Sequence, residues 1–326
     1  MLCGVHATTR VRLQPGTCSS PCRRVSGRRA ARAAEGGAEG VQQAPPPPRV
    51  ARLERAASLP PAPRLGLLLL GAATALALPR GICALLGAGW NTAVADTSSV
   101  GLLYAYLLAV PSVWGRRARR LAAPLAHYGL RAASVGAALR QLGAHLAAGF
   151  ALVAAVVAAP APLTATGRLQ AVLLAEGASA GAALQTLAPL LLAALALALV
   201  EEMLFRGLLA DEAARDLSAR GAPGEGDLFC GLVFAAVHLS LPAAPGLLAL
   251  ALALAALKRK TGRLLWAPIG LHAGLVFGYS ALATCGVVDA VAAVSVPWMS
   301  GASFDNPLAG AAGLAMAVTL YLYCQR

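Results

Sequence analysis

From Leu65 onward the chain is a succession of apolar runs separated by short polar breaks. The runs read as spans near 65–89, 98–114, 142–160, 186–209, 228–241, 243–257, 264–285 and 308–323. They consist mainly of Ala, Leu and Val, and Ala and Leu are strong helix formers. Several reach the roughly 20 residues a helix needs to cross a hydrocarbon core. The expected fold is therefore all-α, a polytopic bundle of about eight transmembrane helices. Two places are less regular. The runs 228–241 and 243–257 are short and joined by a Leu241–Pro245 hinge, so they form two short spans or one re-entrant hairpin. Pro79 interrupts the first run and is expected to break it there.

Charge in the connections supports an alternation of eight spans. The segments 115–141, 210–227, 258–263 and the C-terminus hold thirteen Lys and Arg, whereas 90–97, 161–185 and 286–307 hold Arg168 alone. Basic loops stay on the cytosol-like side of a membrane, which orients the bundle.

Composition changes the picture in two ways. Apolar residues make up 58% of the chain and charged ones 13%, about half the share usual for a soluble domain. The net charge of +13 is concentrated at the start: eleven Arg against three Glu within residues 1–64 supply +8 of it. Seven of those Arg precede the first acidic residue, Glu35, and no apolar core of the secretory type accompanies them. That composition marks an organellar transit peptide, followed by a disordered spacer at 34–48. Residues 1–60 are accordingly set apart from a membrane domain at 65–326. The expected location is a chloroplast membrane with the basic loops in the stroma, and a mitochondrial membrane is the alternative. The remaining basic residues lie in separate loops, so membrane lipid is the expected partner and nucleic acid is not. None of the seven Cys forms a CxxC pair, which leaves them as small buried hydrophobes.

The chemistry lies where charge meets lipid. Val200-Glu201-Glu202-Met203-Leu204-Phe205-Arg206-Gly207 falls inside one continuous helical pattern from about Gln185 to Leu217. Each charge at the bilayer centre costs roughly 2.5–3.5 kcal/mol, so three unpaired ones would cost on the order of 7–10 kcal/mol. The spacing offers a remedy. Glu202 and Arg206 are four residues apart and can pair along one helix face, while Glu201 is turned about 100° away toward a different neighbour. Such a cluster either fixes helix packing or carries chemistry. Two histidines tilt the balance toward chemistry: His238 and His272 each lie in a further apolar run. A carboxylate and two imidazoles from three helices can bind zinc with an open position for water, or activate water without metal. The metal set would then be Glu201, His238 and His272. Gly270, Gly274 and Gly278 form a small-xxx-small series on the His272 helix and let another helix approach it closely.

These residues resemble the CAAX protease and bacteriocin-processing family of intramembrane endopeptidases, whose eukaryotic members include the Ras-converting prenyl-protein endopeptidase. The motifs are Glu201-Glu202-x-x-x-Arg206, Phe234-x-x-x-His238 and His272, in that order and on three separate runs, over roughly residues 185–285. The resemblance implies an eight-helix fold with a cavity open to one side and a peptide or protein substrate. It makes Glu201 the base that activates water, with Glu202 and Arg206 supporting it. His238 and His272 would orient water, stabilise the oxyanion or ligate a metal. Zinc and metal-free glutamate mechanisms both fit. In one respect the chain departs from the pattern: the position four after the third-motif His, often Asn, is Val276, which cannot donate a hydrogen bond. An inactive membrane scaffold that keeps the protease fold is therefore the alternative function. A proton-coupled transporter would show inverted repeats with paired breaks, and the chain has none.

Overall fold

The computed structural model describes residues 55–56, 58–86, 92–159, 180–217, 224–288 and 306–326. All of them belong to the compact unit Pro46–Arg326. Nearly all of the leader read as a transit peptide, and most of the 161–185 connection, lie outside the described residues.

The described residues form helices and turns, with no strand among them. In chain order the helices are α1 (Pro61–Leu86), α2 (Thr92–Val113), α3 (Pro124–His127), α4 (Val135–Ala158), α5 (Ala180–Glu202), α6 (Ala210–Leu217), α7 (Glu225–Val237), α8 (Ala244–Lys260), α9 (Trp266–Thr284) and α10 (Ala311–Gln325). Two helical stretches, Val135–Ala158 and Gln185–Arg215, are long and apolar enough to cross a membrane.

Several element boundaries differ from those read in the sequence, each for a local reason. The first run is not broken at Pro79, because α1 continues through it. A proline removes one backbone donor and leaves the remaining turns bonded. Helix α4 starts seven residues earlier than the apolar run, at Val135. There the Ser134 hydroxyl accepts a hydrogen bond from the Ala137 backbone N–H at 3.1 Å and caps the helix. The pattern 185–217 is not one uniform helix. Its central turns, Met203–Leu209, wind as a wider π-helix and every residue in them is buried. Finally, α7 ends at Val237, so His238 is its C-cap and not a mid-span residue. Leu239 follows at φ 51°, the left-handed conformation that ends helices.

The core of the site is a three-layer arrangement of α4, α9 and α5. The glycine stripe explains it. A Cβ on Gly270 would overlap the Leu142 carbonyl, one on Gly274 the Leu146 carbonyl, and one on Gly278 the Val153 side chain. Gly149 on α4 meets the backbone of Leu271 and Gly274 in the same way. Backbones can pack this closely only where side chains are absent. Since 270, 274 and 278 face α4, residue 272 is turned about 200° from 270 and projects to the other side, toward α5. The stripe thus sets the direction of His272.

Candidate active site

Glu201 and Glu202 are the last residues of α5, at the point where the helix widens. π-Turns of this kind recur at functional sites. Glu202 is fully buried and Arg206 is 3% exposed. The pairing expected from their spacing is present, with Arg206 Nη1 donating to Glu202 Oε1 at 3.0 Å. The same oxygen lies 2.9 Å from His272 Nδ1. A carboxylate oxygen that already takes a guanidinium can only accept, so Nδ1 carries the imidazole proton. His272 Nε2, on the other side of the ring, faces Glu201 Oε2 at 3.7 Å.

That last distance has chemical content. The two atoms face each other just beyond hydrogen-bond range. Glu201 Oε2 is buried and has no hydrogen-bond partner among the described residues. Such an arrangement is stable when a proton donor or a cation lies between the two atoms. Glu201 itself is 18% exposed, in contrast to Glu202. The two carboxylates therefore divide as their spacing suggests. Glu202 is committed to Arg206 and His272, and Glu201 faces open chemistry.

Arg206 is held from three sides. Its guanidinium carbon stands 4.4 Å over the Phe234 ring. Its Nη1 is taken by Glu202, and its backbone carbonyl accepts from Lys258 Nζ at the end of α8. Phe234 is a hub: Phe205 meets it edge-on at 5.2 Å, His238 lies at 4.6 Å and His272 at 6.1 Å between ring centroids. Its place four residues before His238 was visible in the sequence, but its role as the floor of the site was not.

His238 is placed differently. Its Nδ1 lies 2.7 Å from the Phe234 carbonyl, which can only accept, so Nδ1–H donates there. It has no polar contact with Glu201, Glu202 or His272 among the described residues. The proposed zinc set of Glu201, His238 and His272 is thus not brought together. Among the described residues no three His, Cys, Asp or Glu are grouped to hold an ion. Glu201 and His272 supply two donors, short of the three protein ligands usual for catalytic zinc.

Sequence reasoning missed a second polar centre, ten residues further along the chain. Glu212 on α6 is fully buried. Its carboxylate takes Arg64 Nε at 3.0 Å, Trp114 Nε1 at 3.2 Å, Arg215 Nη1 at 3.3 Å, and Arg119 Nη1. Arg119 also meets Asp211 at 3.1 Å, and Asp211 meets His127 Nε2 at 3.1 Å. The sequence signal was the polar Asp211-Glu212 pair following the apolar Leu208-Leu209-Ala210. Tyr128 is packed beside this centre, and burial raises its phenol well above the ordinary range.

The helices and this site define an all-helical arrangement, two of its helices long and apolar enough to cross a membrane, with a carboxylate–imidazole centre buried where α5, α7 and α9 meet. Residues 183–278 match the family described as Type II CAAX prenyl endopeptidase Rce1-like. That stretch is similar to this family, and it contains Glu201, Glu202, Arg206, Phe234, His238 and His272. No curated protein and no solved structure matches the chain.

Proposed function

We propose that the chain is an intramembrane endopeptidase that hydrolyses peptide bonds with a water molecule activated by Glu201. The observation that carries this is the facing pair Glu201 Oε2 and His272 Nε2 at 3.7 Å, with Glu201 Oε2 buried and without a hydrogen-bond partner among the described residues, a spacing suited to one bridging water. Glu201 takes the proton of that water as its oxygen attacks the substrate carbonyl carbon. Glu202 fixes the His272 tautomer, so that Nε2 accepts the second water hydrogen and aims the attacking oxygen. Arg206 balances the charge of Glu202. The proton held by Glu201 then passes to the leaving amine as the C–N bond breaks. His238 stands beside Phe234 at the end of α7, held by its Nδ1 against the Phe234 carbonyl. The Rce1-like match over residues 183–278 supports this chemistry. The membrane is taken to be organellar, with the plastid first, on the composition of the leader alone.

The test compares peptide termini in membranes from cells carrying wild type or Glu201→Gln. A set of termini that disappears in the variant establishes proteolysis and names its substrates. An unchanged set, with the variant protein present and folded, excludes it and favours a scaffold.

A further inference from the structure

Three consecutive cations close α8, and they go three ways. Arg259 pairs with Asp227 on α7, and Lys260 stands over the Tyr323 ring on α10, both of them exposed. Cations at a helix C-terminus are favoured by its dipole, and long stems normally carry their charge out to water. Lys258 turns inward instead. Its Nζ donates to the backbone carbonyl of Arg206, in the middle of the π-turn. Burial pushes that ammonium down from 10.5 to about 8, which is what holding a charge there costs.

The π-turn supplies a reason. Widening takes its carbonyls out of the regular i→i+4 ladder, so the turn depends on what grips it from outside. Arg206 is the residue through which this turn enters the site. Its guanidinium bonds Glu202, and Glu202 fixes the tautomer of His272. Lys258 holds the backbone of that residue, from a helix that carries none of the three motifs. We propose that Lys258 is a positioning residue: its charged ammonium fixes the backbone of Arg206, and through Arg206 the Glu202–His272 pair, so the centre is ordered while Lys258 is protonated and loosens when it is not. This rests on the proteolytic function proposed above, and adds to it the group that sets the upper pH limit.

The charge acts in two ways. An ionised donor makes a hydrogen bond roughly twice as strong as a neutral one. It also answers its surroundings, where Asp211 of α6, Glu202 of α5 and the Cys230 thiol of α7 favour it and Arg263 of the following turn opposes it. The other elements packed on α8 change little. Tyr323 and Cys324 of α10 are met by Lys260, His272 of α9 is bonded to Glu202, and Pro307–Ala309 carries no ionisable residue. Deprotonation ends both effects and at the same time relieves the buried charge. Above pH 8 the order of the π-turn and the stability of the whole fold should therefore move in opposite directions. A lysine with a merely structural role would move them together.

The test has two readouts. Exchange of backbone amides across 203–209 is measured on the purified protein in detergent at about pH 7 and about pH 9.5, on either side of the titration, and corrected for the intrinsic effect of pH. Protection should fall by about 10-fold in the wild type at the higher pH, and be equally low in Lys258→Met at both. Lys258→Arg keeps a donor that does not titrate, and its protection should not change with pH. Equal protection in wild type and Lys258→Met would overturn the inference. The second readout is the rate at which Glu201-dependent termini appear as a function of pH. The wild type should lose about 10-fold through an alkaline limb near 8, and Lys258→Met should show the lower rate with no limb. Lys258→Arg should also have no limb. A limb near 8 that survives in both variants belongs to another group and would overturn the inference. Absence of any Glu201-dependent terminus would remove proteolysis, while the exchange result still decides whether Lys258 orders the turn.

Discussion

Replacing Glu212 with Gln separates what its arginines contribute. Gln keeps the shape of the side chain but removes its charge, and it turns an amide donor toward groups that only donate. Arg64 is the partner most affected, because it is buried at the inner end of α1 and its Nε lies 3.0 Å from the carboxylate. Removing one member of a buried ion pair costs about 3–5 kcal/mol. Arg119 is cushioned, since Asp211 holds the same nitrogen at 3.1 Å. Arg215 is 41% exposed, so its bond to Glu212 is screened and worth at most about 1 kcal/mol. Exposure therefore orders the series: Glu212→Gln and Arg64→Met should be severe, and Arg215→Ala mild. At about 2–4 °C per kcal/mol, the midpoint for Glu212→Gln should fall on the order of 10 °C. The assay is thermal unfolding of the purified protein in detergent, followed by circular dichroism. A shift for Glu212→Gln no larger than that for Arg215→Ala would refute the buried-pair account.

Other consequences can be checked with the same preparations. Gly274→Leu should prevent the close approach of α9 to α4 and lower the unfolding midpoint by more than ~1–3 kcal/mol in equivalent stability. Gly81→Ala on α1 meets nothing within 4 Å and should be neutral or stabilising. His272→Ala should reduce the Glu201-dependent termini more than His238→Ala does, because His272 touches both carboxylates and His238 neither. Lys258 lies one residue past the apolar tract of α8, and burial pushes its ammonium down from 10.5 to about 8. Its folded value is thus below its unfolded one, so the folded state resists protonation. Stability should rise as pH increases from about 8 toward 10.5. That rise should be absent in Lys258→Met, and a rise of equal size there would assign it to other groups.

Much of the site was legible because helical spacing is rigid. A spacing of four positions from Glu202 to Arg206 places them on one face, and the ion pair follows. The glycine stripe announced a close helix contact for the same reason. The rest depended on tertiary placement, which periodicity does not encode. His238 looked like a mid-span residue, because nothing in the run 228–241 announces that Leu239 adopts a left-handed conformation and stops the helix. Pro79 is a breaker by type, but its effect depends on whether its neighbours keep their bonds. The Glu212 centre escaped notice since its partners come from distant elements, Arg64 reading as part of the leader, Trp114 as the end of a span and Arg119 as a loop charge.

The π-turn at Met203–Leu209 has an implication for how this chain could have changed over time. A widened turn is one residue more than a regular helix would use for the same rise, so it acts as an insertion that the fold has kept. Deleting one of those seven residues would return the turn to ordinary winding over nearly the same rise and rotation, so Glu212 would keep roughly its bearing toward Arg64 and Arg119. The wide turn lets the helix hold an extra residue beside Glu202 without disturbing the second polar centre. A one-residue deletion across 203–209 should therefore cost the first centre more than the second.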